Sequence, residues 1–223
     1  MCCQLCRIGC LLLIHSLLKY QIIVELLLSE SQLKMALTPE IVEQETQSVL
    51  FIFFDERMQR DGIEKTAEMQ QLLDSEVTGS QNMATYKQYA SMVLLVADEI
   101  DSKYNTKIQD LASTVPPNAE REIIKQVAEE ILSGGITWGK IAALFLFTYK
   151  VCIRVLDRFP LITNIINIVL DFMAVRVVHW IIQKGGWKSI QENMIRPLPD
   201  IFRISLGVVF LSVGVFLLFW YRK

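Results

Sequence analysis

Cysteine and histidine gather at the start of the chain, where Cys2, Cys3, Cys6, Cys10 and His15 stand close together. Thiolate and imidazole are the donors of tetrahedral zinc sites. Cys3-x-x-Cys6 offers one suitable interval, but the spacing beyond it is irregular and the context apolar. Neither a metal nor any other cofactor is expected. The early cysteines are alternatively lipid acceptors, if that segment is made. His179, beside Trp180, reads as a hydrogen-bonded packing histidine. No phosphate-cradling loop, nucleophile motif or supported carboxylate pair occurs, so no catalytic residue is assigned and the chain does not read as an enzyme.

The remaining chemistry is recognition. Tyr89, Val93, Val96 and Ile100 fall at i, i+4, i+7 and i+11 of a helix expected over 86–103. They make a narrow apolar seam fit to enter a groove on another helical surface. Ala97 keeps the backbone approachable beside the seam, and Asp98 sets a carboxylate at its edge. The plainer alternative is an ordinary amphipathic core helix. Lys150, Arg154 and Arg158, at i, i+4 and i+8, form a basic stripe. It is either a solvated or loop-covered edge, or a surface that meets lipid phosphates in an opened state.

Composition narrows the field. The chain has 223 residues, enough for one medium domain with tails. A formal net charge of -2 argues against nucleic acid, which needs a basic footprint. A mean hydropathy of +0.35 is high for a purely soluble protein. Five cysteines, four of them at the start, make no disulfide framework and fit a reducing compartment. Strand-like alternation is scarce and helical spacing recurs, so the class is all-α.

The elements that must position the seam follow from local signals. Thr38-Pro39-Glu40 starts a helix that runs to about Arg60, with Val42, Val49, Leu50, Phe53, Phe54 and Met58 as its apolar stripe and Asp61-Gly62 as its stop. Residues 62–84 are acidic and polar, and read as a loop with at most a turn around 69–73. Asn118 caps a helix that Gly134-Gly135 ends. Thr137 caps the first of two long apolar helices, 138–156 and 161–183, joined by Asp157-Arg158-Phe159-Pro160. Lys140, Lys150, Arg154, Asp171 and Arg176 interrupt them, each at about 2.5–3.5 kcal/mol in a bilayer centre. A buried hairpin in water is therefore the default, with in-plane membrane insertion as its alternative.

After the elbow Pro197-x-Pro199 comes a charge-free run, 204–221, just long enough to span a bilayer. Gly207 and Gly214 share one face of it, and Ile204 and Tyr221 bound it. Three regions result: an atypical apolar extension, 1–34; a helical body, 35–200; and a membrane anchor, 201–223. The extension reads as a signal peptide, an extra anchor, or leader sequence ahead of a start at Met35. The last fits best, because ordinary helix grammar begins there.

Three stretches then acquire a collective meaning. Val93-Leu94-Leu95-Val96-Ala97-Asp98-Glu99-Ile100-Asp101-Ser102 resembles the third homology motif of the Bcl-2 family, the death motif. Gly135-Ile136-Thr137-Trp138-Gly139-Lys140-Ile141-Ala142-Ala143-Leu144-Phe145 resembles the first, and Trp180-Ile181-Ile182-Gln183-Lys184-Gly185-Gly186-Trp187 the second. Their order, spacing and terminal anchor match the family, most nearly its pro-apoptotic pore-forming effectors. The resemblance implies an all-α bundle around the central hairpin, with a surface groove and a transmembrane tail. It implies that Val93, Val96 and Ile100 enter a partner's groove, where Asp98 pairs with Lys140 and Gly139 permits close approach. Implied partners are activator death-motif proteins, survival homologues, a second copy, and lipid of the mitochondrial outer membrane, reached from the cytosol. Implied function is permeabilisation of that membrane and release of proteins such as cytochrome c. A survival-type module that only sequesters death-motif helices is the alternative, and a generic tail-anchored adaptor a more distant one. Lys140 stands where the family uses arginine, Val93 where it uses leucine and Ala97 where it uses glycine. The first exchanges a forked contact for a point charge.

Overall fold

The computed structural model describes residues 37–77, 82–116 and 121–194, together with Lys19 and Gln21. The rest of the extension, Asn118, the Pro197-x-Pro199 elbow and the anchor residues Ile204, Gly207, Gly214 and Tyr221 lie outside the described residues. Eight helices are described: α1 (Pro39–Arg60), α2 (Ala67–Val77), α3 (Met83–Thr114), α4 (Arg121–Ile131), α5 (Trp138–Ile153), α6 (Phe159–Arg176), α7 (Val178–Gln183) and α8 (Ser189–Met194). No strand occurs among the described residues, so the expected all-α class holds.

α5 is the axis. Every residue from Trp138 to Cys152 is buried, with α3, α4, α6 and α8 packed around it. Thr137 caps it as expected, its hydroxyl accepting from the Lys140 N–H at 3.2 Å. α1 is more enclosed than a single stripe predicts. Ser48, Phe51 and Ile52 are buried alongside Leu50, Phe53 and Phe54, because α2, α3, α6 and α7 all contact it. A helix apolar on every side belongs at a centre. Its end is as read: Gly62 takes φ +66, and the Ile63 N–H closes on the Met58 carbonyl at 3.0 Å.

Four expectations need correction. Residues 67–77 form a helix rather than a loop, because Met69 and Leu73, one turn apart, are buried. The Thr66 hydroxyl accepts from the Met69 N–H at 3.2 Å. The seam helix continues past Lys103 to Thr114, through a kink at Tyr104 (φ -134, ψ 15). Beyond the polar stretch 103–107, Ile108, Leu111 and Ala112 resume the buried face. α5 stops at Ile153, short of Leu156. The second apolar helix is two: α6 ends at Arg176 and α7 restarts after Val177 (φ -111, ψ -37). Val175, Val177 and Val178 crowd that point, and β-branched side chains lose χ1 freedom in a helix.

α6 is the one described helix long and apolar enough to cross a membrane, with 39% of its span buried. Its outer face carries Asn164, Asn167 and Asp171, all exposed. That face is polar, and the helix is amphipathic rather than uniformly apolar.

Trp187 ties the end of the body to its beginning. It is 1% exposed, and its indole N–H donates to the Thr46 hydroxyl at 2.9 Å. That hydroxyl in turn donates to the Val42 carbonyl at 2.7 Å. A buried donor without an acceptor costs about 1–3 kcal/mol. Thr46→Val keeps the shape and removes the acceptor, so urea denaturation should show a loss of about 1–3 kcal/mol. An unchanged midpoint would mean the indole N–H has another partner.

Candidate functional site

The seam is turned inward. Val93, Ala97 and Ile100 are sealed, and Tyr89 and Val96 are buried, on a helix packed against α5 and α1. The opposite side of α3 faces water. Leu95 is 61% exposed and, with Gln88, Ser91, Met92 and Glu99, lines an open cavity of about 760 Å³ that reaches Gln191 of α8. The core-helix reading thus describes this state, and the groove-entering reading requires α3 to leave.

A charge cluster closes the polar edge of the seam. Arg57, its side chain 8% exposed, is its hub. Its Nη1 reaches Asp98 Oδ1 at 2.6 Å, its Nε reaches Asp61 Oδ2 at 3.2 Å, and its Nη2 binds Asp101. Arg60 Nη1 holds the other Asp98 oxygen at 2.8 Å. Lys150 Nζ sits 3.2 Å from Asp101 Oδ2. The Tyr149 hydroxyl donates to Asp61 at 2.7 Å, with the Arg57 guanidinium 5.9 Å from its ring centre. Burial alone would lower the Arg57 pKa, but Asp61, Asp101 and Asp98 outweigh it and hold it above its ordinary value. Burial and the bond to Asp61 push the Tyr149 phenol well up. Three cations meet three carboxylates across α1, α3 and α5. The match is incomplete, since the buried Oδ1 of Asp101 has no partner.

Lys140 is elsewhere. Its Nζ donates to the Gly135 carbonyl at 3.0 Å and to the Ser133 carbonyl, fastening the turn after α4. Burial lowers its pKa. Within this chain Asp98 therefore pairs with Arg57 and Arg60, not with Lys140. Gly139 is buried beside it.

The first and second motifs meet directly. The Trp138 ring lies 5.1 Å from that of Trp180 and 5.2 Å from that of Trp187. Gly186 (φ +87) makes the turn between those two partners. The Trp138 indole nitrogen is buried without a partner. Of the basic stripe only Lys150 is buried, while Arg154 and Arg158 are exposed. Lys150 is held by Asp101, and Arg154 Nη1 donates to the Val115 carbonyl at 3.1 Å and to that of Ala112. Arg158 is exposed beside Asp157. His179 is hydrogen-bonded as expected, to Gln183 at 2.9 Å, but is exposed. Among the described residues no His, Cys, Asp and Glu cluster could hold a metal.

Arg57 and Tyr149 have no reading in the sequence, while Asp61 reads only as a helix stop and Asp101 only as part of the third motif. Two signals were available: an arginine and an aspartate four apart ending an apolar helix, and Asp98 and Asp101 sharing a face. Neither says that the two helices meet.

A family model described as "Apoptosis regulator proteins, Bcl-2 family" matches residues 93–187, the stretch from the seam to Trp187. Over that stretch the chain resembles the Bcl-2 family. Human "Bcl-2 homologous antagonist/killer" is 25% identical over 182 residues, covering 78% of this chain and 84% of that one. Bovine "Apoptosis regulator BAX" is 34% identical over 110 residues, 48% of this chain and 56% of that one, so this second match spans about half its relative. Among solved structures, Trichoplax adhaerens trBcl-2L2 bound to trBak BH3 superposes with a TM-score of 0.55 at 15% identity, over 68% of this chain and 97% of that one. That likeness shows the Bcl-2 fold.

Removing one partner of a buried ion group costs about 3–5 kcal/mol. Arg57→Met should lower the unfolding free energy by about that amount. Hydrogen exchange at residues 93–103 should accelerate more than at α4, and adding Asp101→Asn should recover part of the loss. Uniform acceleration across the bundle would mean the cluster does not specifically hold α3.

Proposed function

We propose that this chain is a member of the Bcl-2 family and a pro-apoptotic effector. It oligomerises in the mitochondrial outer membrane and permeabilises it, promoting release of intermembrane-space proteins such as cytochrome c. The observation that carries this reading is the buried seam: a complete recognition helix packed inside its own body, with balanced charges closing it. Likeness to the antagonist/killer protein over 84% of that protein supports the same assignment.

In the proposed sequence, an activator's death-motif helix loosens the bundle and residues 201–223 insert as a tail anchor. α3 leaves α5, and Val93, Val96 and Ile100 enter the groove of a second copy beside Trp138 and Gly139. Asp98 then exchanges Arg57 and Arg60 for Lys140 of that copy. The seam is reburied at about 25 cal/mol per Å² of apolar surface, so the exchange costs little net burial. The hairpin lies in the plane of the membrane, with the polar face of α6 toward water. The work is binding and remodelling; no catalysis or cofactor enters. Partners are activators, survival homologues, further copies and lipid.

The second reading is a survival-type module that sequesters death-motif helices. It draws on the Trichoplax neighbour, whose structure holds a BH3 partner. Dye-loaded liposomes separate the two. Dye release on adding an activating death-motif peptide supports the effector. Sealed vesicles, with blockade of a known effector, support the sequestering module. Asp98→Ala has opposite effects at two stages: it relieves a resting contact, yet removes the partner of Lys140 in the pair. Crosslinked dimers on activated liposomes should fall several-fold even though α3 exchanges faster. Undiminished crosslinking would remove Asp98 from the dimer contact.

A further inference from the structure

We propose that one end of the bundle, made by the last turn of α6, α7 and the turn before α8, is a docking surface for an anionic bilayer. On this view it holds the closed body against the membrane before α3 moves. Arg176, Lys184 and Lys188 are all exposed there. None forms an ion pair among the described residues. From Phe172 to Gln191 the sequence contains no acidic residue. The flanking Asp171 is paired with Arg121, and Glu192 lies beyond, on α8.

The apolar part of the patch is equally specific. Val175 is 80% exposed, more than Leu95 or Ile41, the other exposed large apolar residues among those described. Trp180 is half-buried. Its inner side meets Trp138 at 5.1 Å, and Lys184 Nζ stands 5.5 Å from its ring centre. His179, Trp180, Gln183 and Lys184 share the outer face of α7, opposite the buried Val178 and Ile181. Val177 bends the chain without reversing it, its N–H on the Met173 carbonyl at 2.8 Å and its own carbonyl taking the Ile181 N–H at 3.0 Å, so the exposed end of α6 leads directly into α7. Lys188 folds back toward the same turn, with its Cε 4.0 Å from where a Cβ on Gly185 would stand.

An aromatic ring with a dry and a wet side, flanked by long cationic chains, fits the headgroup level of a membrane. Charge complementarity selects the occupant, because Lys and Arg near an anionic leaflet are attracted to it and a neutral leaflet offers nothing comparable. Chain length agrees. Ile204 follows Lys188 by 16 residues, at most about 55 Å of extended chain, so an inserted apolar run would leave this face within reach of the same bilayer. The proposal stands for an effector or a sequestering module alike.

Flotation of the full chain, without activator, tests it. The vesicles are phosphatidylcholine alone or with one fifth phosphatidylserine. The patch should add a serine-lipid increment that weakens as salt rises. Arg176→Gln/Lys184→Gln/Lys188→Gln, three exposed positions, should remove that increment, a loss of about a hundredfold in partitioning at low salt. Circular dichroism checks that the triple variant stays folded. A Val175→Asp variant, tested separately, should weaken binding while leaving the three cations in place. Equal partitioning of the triple variant and the parent onto anionic vesicles overturns the proposal. So does capture by an acidic polypeptide with no response to lipid charge. Activated dye release from neutral vesicles reports on the effector reading alone, so the two fail separately.

Discussion

The guanidinium of Arg57 is the constraint on which this bundle turns. It is buried where α1 ends, and a buried charge must be paired or the fold loses several kcal/mol. Its three partners come from two places in the sequence: Asp61 just past its own helix, and Asp98 and Asp101 on α3. Lys150 of α5 then shares Asp101, and Tyr149 shares Asp61. The cluster adds less net stability than it does register. An apolar face alone would let α3 slide or rotate on α5, whereas oriented donors and acceptors accept one position.

The same cluster explains how a chain with so apolar a centre stays closed in water. α5 is buried from Trp138 to Cys152, yet it carries Lys140 and Lys150, and the exposed Arg154 follows at its end. Each has found an oxygen. Lys140 takes the carbonyls after α4, Lys150 takes Asp101, and Arg154 takes the carbonyls that end α3. Two of the three are therefore satisfied by α3. Moving the seam part of α3 exposes the seam and, in the same step, strips Lys150 of its partner. The seam helix and the cationic stripe are thus linked directly through the Lys150–Asp101 ion pair.

Much of this was legible in the sequence because it is local. Thr137, Gly62 and Gly134 mark helix ends by backbone chemistry that needs no tertiary context. α5 and α6 declare themselves by apolar content. What escaped was non-local or masked by composition. α2 is rich in Glu and Gln, and only Met69 and Leu73 reveal that one side of it is dry. The break at Val177 looks helical because valine is apolar, although its branching works against the helix. The resemblance pairs Asp98 with Lys140 of a partner and is silent on its place in its own chain, where it lies against Arg57 and Arg60, about forty positions upstream. No spacing rule carries that information, since it depends on which faces of α1 and α3 meet.

The cluster is graded from outside inward, and that gradient bears on how it opens. Asp98 and Arg60 have side chains 43% and 47% exposed, so water and salt screen their contact and it contributes little. Asp101, 12% exposed, shares its inner oxygen between Arg57 and Lys150, where screening is weak and loss of a partner is costly. A competing charge therefore reaches Asp98 first and gains it cheaply. It does not reach Asp101 until α3 has begun to turn. At that point the kink at Tyr104 divides the helix. The seam lies before it, while the stretch beyond is pinned through its carbonyls by Arg154. The weakest charge contacts and the break in the helix therefore both lie on the borders of the seam.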